Sequence, residues 1–223
     1  MRGILKQPYI NLSLKGNVTD TSINGLTPSN TSVTATTGLF GESNGAMEWN
    51  ASSDRLAWSS SIGNAVATKI NNEATISFWI NGSAVSPYKF IFHQYSSSGG
   101  DRSFYIMIMN TGGSVNCYRF GTTAATVVDT ANNVYVTSTW QFITITTIQN
   151  GADVDVKIYV NGILSASATL LVCSTTSTYE MRIGTDSGGS TSISAKITDF
   201  RIYDKKFSNI EIQSLYRQKG RLK

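Results

Sequence analysis

Apolar and polar residues alternate through most of this chain with a period of two, the pattern of strands that bury one face and wet the other. Residues 8–14 alternate in this way and read as a first strand. A turn is expected at 20–25 and a Ser/Thr-rich loop at 27–37. Short strands are predicted at 45–50 and 55–58, and stronger ones at 75–80, 89–95, 103–109 and 115–120, with 89–95 and 103–109 paired across the turn at Gly99, Gly100 and Asp101. Residues 140–148 and 153–160 alternate most regularly, and Asn161-Gly162 then supplies the signal of a type I′ hairpin. Strands at 179–184 and 193–203 complete a set of about a dozen.

Only the end of the chain changes period. Ile197, Phe200 and Ile202 are the apolar residues of the last strand, yet they do not share one parity. After them, Ser208 and Glu211 have the spacing of a capping box. Ile210, Ile212, Leu215 and Tyr216 give the following segment the apolar side of a short helix. No Pro/Gly-rich linker divides the chain and no internal repeat is evident. The expected fold is all-β: a two-sheet antiparallel jelly-roll sandwich with one short C-terminal helix, spanning 1–223 as a single domain with a basic tail at 217–223.

This C-terminal arrangement resembles the end of LamG-like domains in the concanavalin A-like lectin/glucanase superfamily. Those domains close on a D-x-R-I-Y-x-R/K-x-L-S-x-x-E-I-x-x-L-Y pattern. Asp199, Arg201, Ile202, Tyr203, Lys205, Ser208, Glu211, Ile212, Leu215 and Tyr216 fit it, with Phe207 where Leu is usual. Further landmarks follow in the same order: Asp20, Ser22, Asn24 and Gly25; Gly45, Ala46 and Met47; the run 74–80; the strand from Trp140; the run 156–162; and Met181 to Gly184. The resemblance covers nearly the whole chain. It implies the jelly-roll sandwich and a binding or glycan-processing role.

Composition narrows the role. Charged residues are 14% of the 223 residues, against about 25% in an average globular protein, while Ser and Thr make up about a quarter of the chain. Hydroxyls therefore replace charges on much of the surface. The net charge of +4 concentrates at the C-terminus, in Lys205, Lys206, Arg217, Lys219, Arg221 and Lys223, opposed only by Glu211. One reading is a solvated helix end whose cations complement the helix dipole. The other is an anchoring tail on an acidic partner. No nucleic-acid-binding motif accompanies the charge. No stretch reaches the apolar length of a membrane span, and residues 1–7 lack the apolar run of a signal peptide. Cys117 and Cys173 have no metal-ligand spacing and read as two buried thiols in preference to a disulfide.

Catalytic patterns are few. Glycosidases of this superfamily carry an E-x-D-x-E strand, and none is present. Asp153 and Asp155 share a strand face and are read as solvated acids beside Lys157. Gly41 to Gly45 matches G-x-S-x-G around Ser43, but an elbow needs a strand before and a helix after, whereas a hairpin turn is expected. His93 is the only histidine, so a zinc site is not expected and a hydrogen-bonded structural histidine is.

The resemblance also implies calcium, which many such domains bind through Asp carboxylates and loop carbonyls. Asp20, Asn24, Asp101 and Asp186 lie in expected loops and are the candidate donors. The alternative is that Asp20, Ser22 and Asn24 simply hold an Asx-type turn. Sugar binding in such folds uses aromatic rings near loops, and Trp58, Tyr88, Tyr95 and Tyr135 are the candidates, whereas Trp49, Trp79 and Trp140 read as core. The leading expectation is a non-catalytic surface protein of a virion: a bacteriophage capsid-decoration, fibre or tail-associated subunit in contact with capsid proteins and host glycans. Arg2, Lys6, Lys219, Arg221 and Lys223 would be its particle-anchoring residues. The alternatives are a secreted or cell-surface carbohydrate-binding module, extracellular in location, and a glycoside hydrolase with atypical carboxylates. Nothing in the chain specifies a homo-oligomer.

Overall fold

The structure, a computed structural model, describes residues 6–85, 87–95, 102–111, 114–122, 126–185 and 191–218. In chain order the elements begin with β1 (Ile10–Leu12), β2 (Ser29–Thr31), β3 (Thr34–Thr36), β4 (Ala46–Trp49), β5 (Arg55–Trp58) and α1 (Ser60–Asn72). They continue with β6 (Glu73–Gly82), β7 (Tyr88–Tyr95), β8 (Arg102–Thr111), β9 (Ser114–Gly121), β10 (Val127–Asp129) and β11 (Gln141–Asn150). The last are β12 (Asp153–Val160), β13 (Ile163–Leu171), β14 (Met181–Gly184), β15 (Ala195–Tyr203) and α2 (Asn209–Gln218).

The strands form two antiparallel sheets, the expected jelly-roll sandwich. An eight-stranded sheet runs β13-β12-β11-β6-β15-β4-β3, with β1 on β15, and a seven-stranded sheet runs β10-β9-β8-β7-β14-β5-β2. The first and last strands pair, with Ile10 opposite Ile202 and Leu12 opposite Phe200. Between the sheets, alternate residues of both meet in one apolar core that includes Ile76, Phe78, Phe92, Phe104, Ile106, Tyr118, Phe120, Ile143, Ile145, Val156 and Ile158.

The odd parity of the last strand has a structural cause. The register of β15 on β6 shifts between Thr198 and Arg201, and Asp199 sits there in the left-handed region at φ 51°. A short polar side chain tolerates that conformation better than an apolar one. The extra residue resets which face the chain presents, so Ile197, Phe200 and Ile202 all point into the core and are fully buried.

The hairpin at Asn161-Gly162 forms as the type I′ rule requires, both residues having positive φ, 52° and 80°. The capping box also forms: the Ser208 backbone N–H donates to Glu211 Oε2 at 2.8 Å, and the Glu211 N–H donates to Ser208 Oγ at 3.4 Å. The α2 helix then lays Ile212 and Leu215 over Trp79, Phe142, Tyr159, Tyr203 and Phe207 on the outer face of the eight-stranded sheet. Trp79 and Trp140 belong to this outer layer, whereas Trp49 lies between the sheets.

Hydrogen bonding to the Ser208 backbone N–H, and the Lys205 ammonium beside it, hold the Glu211 carboxyl below its ordinary range. Because the folded value is depressed, this contribution is complete above the ordinary glutamate range and is lost as pH falls through the folded value. Glu211→Ala should cost about 1 kcal/mol at neutral pH. Thermal unfolding of the two proteins should converge in acid; a gap that does not narrow contradicts the assignment.

The α1 helix lies outside the sequence expectations, which held one helix only. Its Val66, Ala67 and Ile70 are fully buried, and its amides tie it to the segment before β14. Asn64 Nδ2 donates to the Ser177 carbonyl at 3.0 Å, and Asn71 exchanges two bonds with the Cys173 backbone.

Candidate functional site

The outer face of the seven-stranded sheet carries a second apolar layer, which takes in Phe90, Tyr105, Met107, Met109 and Cys117, with Tyr88, Tyr95 and Val127 packed against it. Register assembles it. Phe90 on β7 faces Met107 on β8, which faces Arg119 on β9, which faces Asp129 on β10. Tyr88 faces Met109, which faces Cys117, and His93 faces Tyr105, which faces Gly121. Irregular pairing between Phe90 and Phe92 sends Phe90 outward and Phe92 inward.

Within this layer a cavity of about 210 Å³ is lined by Tyr88, Phe90, Tyr95, Tyr105, Met107, Met109 and Arg119. Phe90 is its floor, in contact with Tyr95 at 5.0 Å between ring centroids, with Tyr105 edge-on at 5.8 Å and with Tyr88 edge-on at 6.1 Å. Tyr95 and Tyr105 meet at 6.0 Å. Such tilted and edge-to-face contacts suit aromatic quadrupoles and fix the ring orientations. Tyr88 and Tyr95 are half-buried, while Phe90 and Tyr105 are buried. A glycine is needed at 121, because a Cβ there would meet the Tyr105 ring, whose Cε1 lies 2.8 Å from that position.

The wall of the cavity carries one clamped charge. Arg119 Nε and Nη2 donate to Asp129 Oδ1 and Oδ2, each at 2.6 Å, in a two-pronged fork. The hydrogen bonds to Asp129 push the guanidinium pKa further up, so the group is cationic at any relevant pH.

Two of the four expected sugar-facing aromatics, Tyr88 and Tyr95, stand on this cavity. The other two are structural. Trp58 is buried between the sheets and donates its indole N–H to the Leu26 carbonyl. Tyr135 is buried edge-on against Tyr118 and donates its hydroxyl to the Ser83 carbonyl at 2.7 Å; burial pushes its pKa up to about 12. Phe90, Tyr105, Met107, Met109 and Arg119 are additions the sequence reading lacked. A signal for the first four existed: β7 and β8 are apolar at both parities, which in an antiparallel sandwich marks a strand covered on both faces; Arg119, a charged residue on β9, had none.

The expected calcium donors divide. Asp101 and Asp186 lie outside the described residues. Asp20 accepts the N–H groups of Asn11 and Ser22 on Oδ1, and the Leu26 N–H and Ser22 hydroxyl on Oδ2. Four donors fill the acceptor sites of one carboxylate. Asn24 turns its amide N–H to the Tyr9 carbonyl. These two residues do not fit a calcium ion; they hold an Asx-type turn. Among the described residues no three His, Cys, Asp or Glu side chains converge to hold a metal.

Of the expected anchoring cations, Lys6 donates to Asp204 Oδ1 at 2.8 Å, and Arg2, Lys219, Arg221 and Lys223 lie outside the described residues. His93 is buried, with Nε2 3.2 Å from the Thr185 carbonyl and its ring 4.9 Å from Phe90. Ser43 is exposed in a loop that leads into β4, not into a helix. Asp155 accepts from the Thr169 hydroxyl and the Asn150 amide, which lower its pKa; a carboxyl held ionised is unsuited to the general-acid half of a glycosidase pair. Cys117 lies in the outer layer and Cys173 in the core beneath α1, both buried and forming no disulfide. Among the described residues no helix is long and apolar enough to cross a membrane.

A family model described as the concanavalin A-like lectin/glucanases superfamily matches residues 50–213. No curated protein sequence matches the chain. Among solved structures, it is similar to domain 4 of AbnA, an extracellular arabinanase from Geobacillus stearothermophilus, in complex with arabinotriose, with a TM-score of 0.70 and 16% identity over 94% of this chain and 98% of that one. It is similar to the receptor binding domain of botulinum neurotoxin C/D mosaic serotype, with a TM-score of 0.67 and 19% identity over 95% of this chain and 51% of that one. The botulinum neurotoxin serotype D ligand binding domain in complex with N-acetylneuraminic acid gives a TM-score of 0.64 and 19% identity, over 95% and 50%. The chain therefore spans about half of either toxin domain and nearly all of the arabinanase domain.

Proposed function

The chain belongs to the concanavalin A-like lectin/glucanases superfamily, and from that footing we propose that it is a saccharide-binding protein whose site is the aromatic cavity on the outer face of the seven-stranded sheet. The observation that carries this reading is the pairing of half-buried Tyr88 and Tyr95 with a buried floor of Phe90, Tyr105, Met107 and Met109. A pyranose or furanose ring has an apolar C–H face and a hydroxyl rim, and it needs that combination: flat rings to stack on, and phenol and guanidinium groups at the edge. The site sits on strands, which hold it ready without an ordering cost on binding. The neighbours in complex with arabinotriose and with N-acetylneuraminic acid support a saccharide as the ligand class. The protein binds its glycan without cleaving it.

Glycan-array binding by the isolated chain, followed by titration with the best sugar, tests the reading. Saturable binding is expected. An array with no saturable response, or one in which Tyr88→Ala and Tyr95→Ala bind like the parent, rejects it.

The weakly charged, hydroxyl-rich surface suits a displayed protein, and display on a bacteriophage particle is the finer form of this proposal. Its expected result is a fixed copy number by mass spectrometry of purified particles. Absence from particles, with the chain found on a cell envelope or in the medium, assigns the same site to a secreted or cell-surface lectin module.

A further inference from the structure

We infer that this cavity selects neutral saccharides and discriminates against anionic ones, because its arginine is already neutralised by a fixed carboxylate. The inference rests on the saccharide-binding reading and adds the class of sugar. Among the described residues that line the cavity, Arg119 is the cation. A bare guanidinium in such a place would capture a sugar carboxylate in a two-pronged fork. Here that fork is occupied: Nε and Nη2 both donate to Asp129 at 2.6 Å, from a residue directly opposite on the neighbouring strand. An incoming carboxylate would have to displace Asp129 or share the cation with it, and two carboxylates side by side repel.

A second described arginine of this sheet is held in a similar way. Arg182 faces His93 across the β7–β14 pairing, and its Nε and Nη2 both donate to Glu180 Oε2, at 3.2 and 2.9 Å. Among the described residues the remaining lining is aromatic, phenolic and thioether. An anionic sugar would lose hydration on these described rings and thioethers without gaining a counter-charge from them. A neutral sugar meets no such penalty. Arginine has five N–H donors and the fork uses two, so the other three, held in place by Asp129, remain for hydroxyl oxygens. Asp129 is thus a positioning residue: it aims the guanidinium and cancels its charge.

The test uses the full chain and two glycan panels matched in linkage, oligogalactose and oligogalacturonate, titrated at low salt where charge effects are least screened. The parent protein should bind the neutral member roughly tenfold or more tightly than the carboxylate member. Asp129→Asn leaves an unshared cation and should shift that ratio roughly tenfold toward the carboxylate member. Arg119→Gln removes the guanidinium while Asp129 keeps its charge, and should move it further toward the neutral one. Opposite shifts from the two variants would not arise from loss of structure, which lowers both affinities together. A parent that prefers the carboxylate member, or variants that leave the ratio unchanged, overturns the inference while leaving saccharide binding standing. Binding of neither panel, nor of any sugar on a broader array, removes the saccharide reading and this inference with it.

Discussion

Phe200→Ala should lower the unfolding free energy by about 3–5 kcal/mol, the range for emptying a fully buried phenylalanine site. Phe200 is fully buried and joins the two sheets through aromatic contacts. Its ring stacks on Phe78 of the eight-stranded sheet at 5.9 Å and meets Phe92 of the seven-stranded sheet edge-on at 5.0 Å; Phe92 in turn contacts Phe104 at 5.1 Å. The surrounding strands are paired on both sides, so they cannot collapse into the space. For a chain of this length each kcal/mol is worth roughly 2–4 °C, so the thermal midpoint should fall by about 6–20 °C. Phe200→Leu, which refills part of the volume, should lie between parent and Ala. Differential scanning calorimetry measures both. A loss under about 1 kcal/mol for Phe200→Ala would mean that the sheets are held together elsewhere.

Tyr95→Ala should weaken saccharide binding roughly tenfold to a hundredfold, about 1.4–2.8 kcal/mol, with little change in thermal stability. The two readouts separate because Tyr95 is half-buried and packs on Phe90 and Tyr105 in the outer layer, not between the sheets. The ring is the surface on which a sugar would stack, and deleting it also loosens Phe90. Tyr95→Phe keeps the ring and should retain most of the affinity, which distinguishes stacking from a hydroxyl contact. Titration of the best array sugar against the three proteins checks this. An Ala variant that binds like the parent would place the sugar elsewhere on the molecule.

The outline of the strands was legible because alternation is a local record of a sheet with one wet face. It located β6, β11, β12 and β15 well, and it set Tyr88 and Tyr95 near strand ends, where they line the cavity. It misplaced Trp58 and Tyr135, whose polar tips reach backbone carbonyls of distant loops, those of Leu26 and Ser83. A buried partner for an indole N–H or a phenol cannot be read from the neighbouring residues. It passed over α1 for a similar reason. Asn64, Asn71, Asn72, Gly63 and β-branched Val66, Thr68 and Ile70 are weak helix formers, and Ser59 makes no side-chain cap. Packing of Val66, Ala67 and Ile70 into the core, with bonds to Ser177 and Cys173, stabilises the helix.

By itself, the sequence determined what short-range chemistry controls. The capping box of Ser208 and Glu211, the positive-φ turn at Asn161 and Gly162, and the apolar faces of individual strands all follow from residues a few positions apart. The tertiary structure decided which residues meet across strands. The bulge at Asp199 brings Ile197, Phe200 and Ile202 to one face, and the irregular pairing after Phe90 turns that ring outward to Met107, Arg119 and Asp129. The physical reason is the two-residue period of a strand. One extra residue exchanges inside for outside, and only pairing with a neighbouring strand determines where that residue goes.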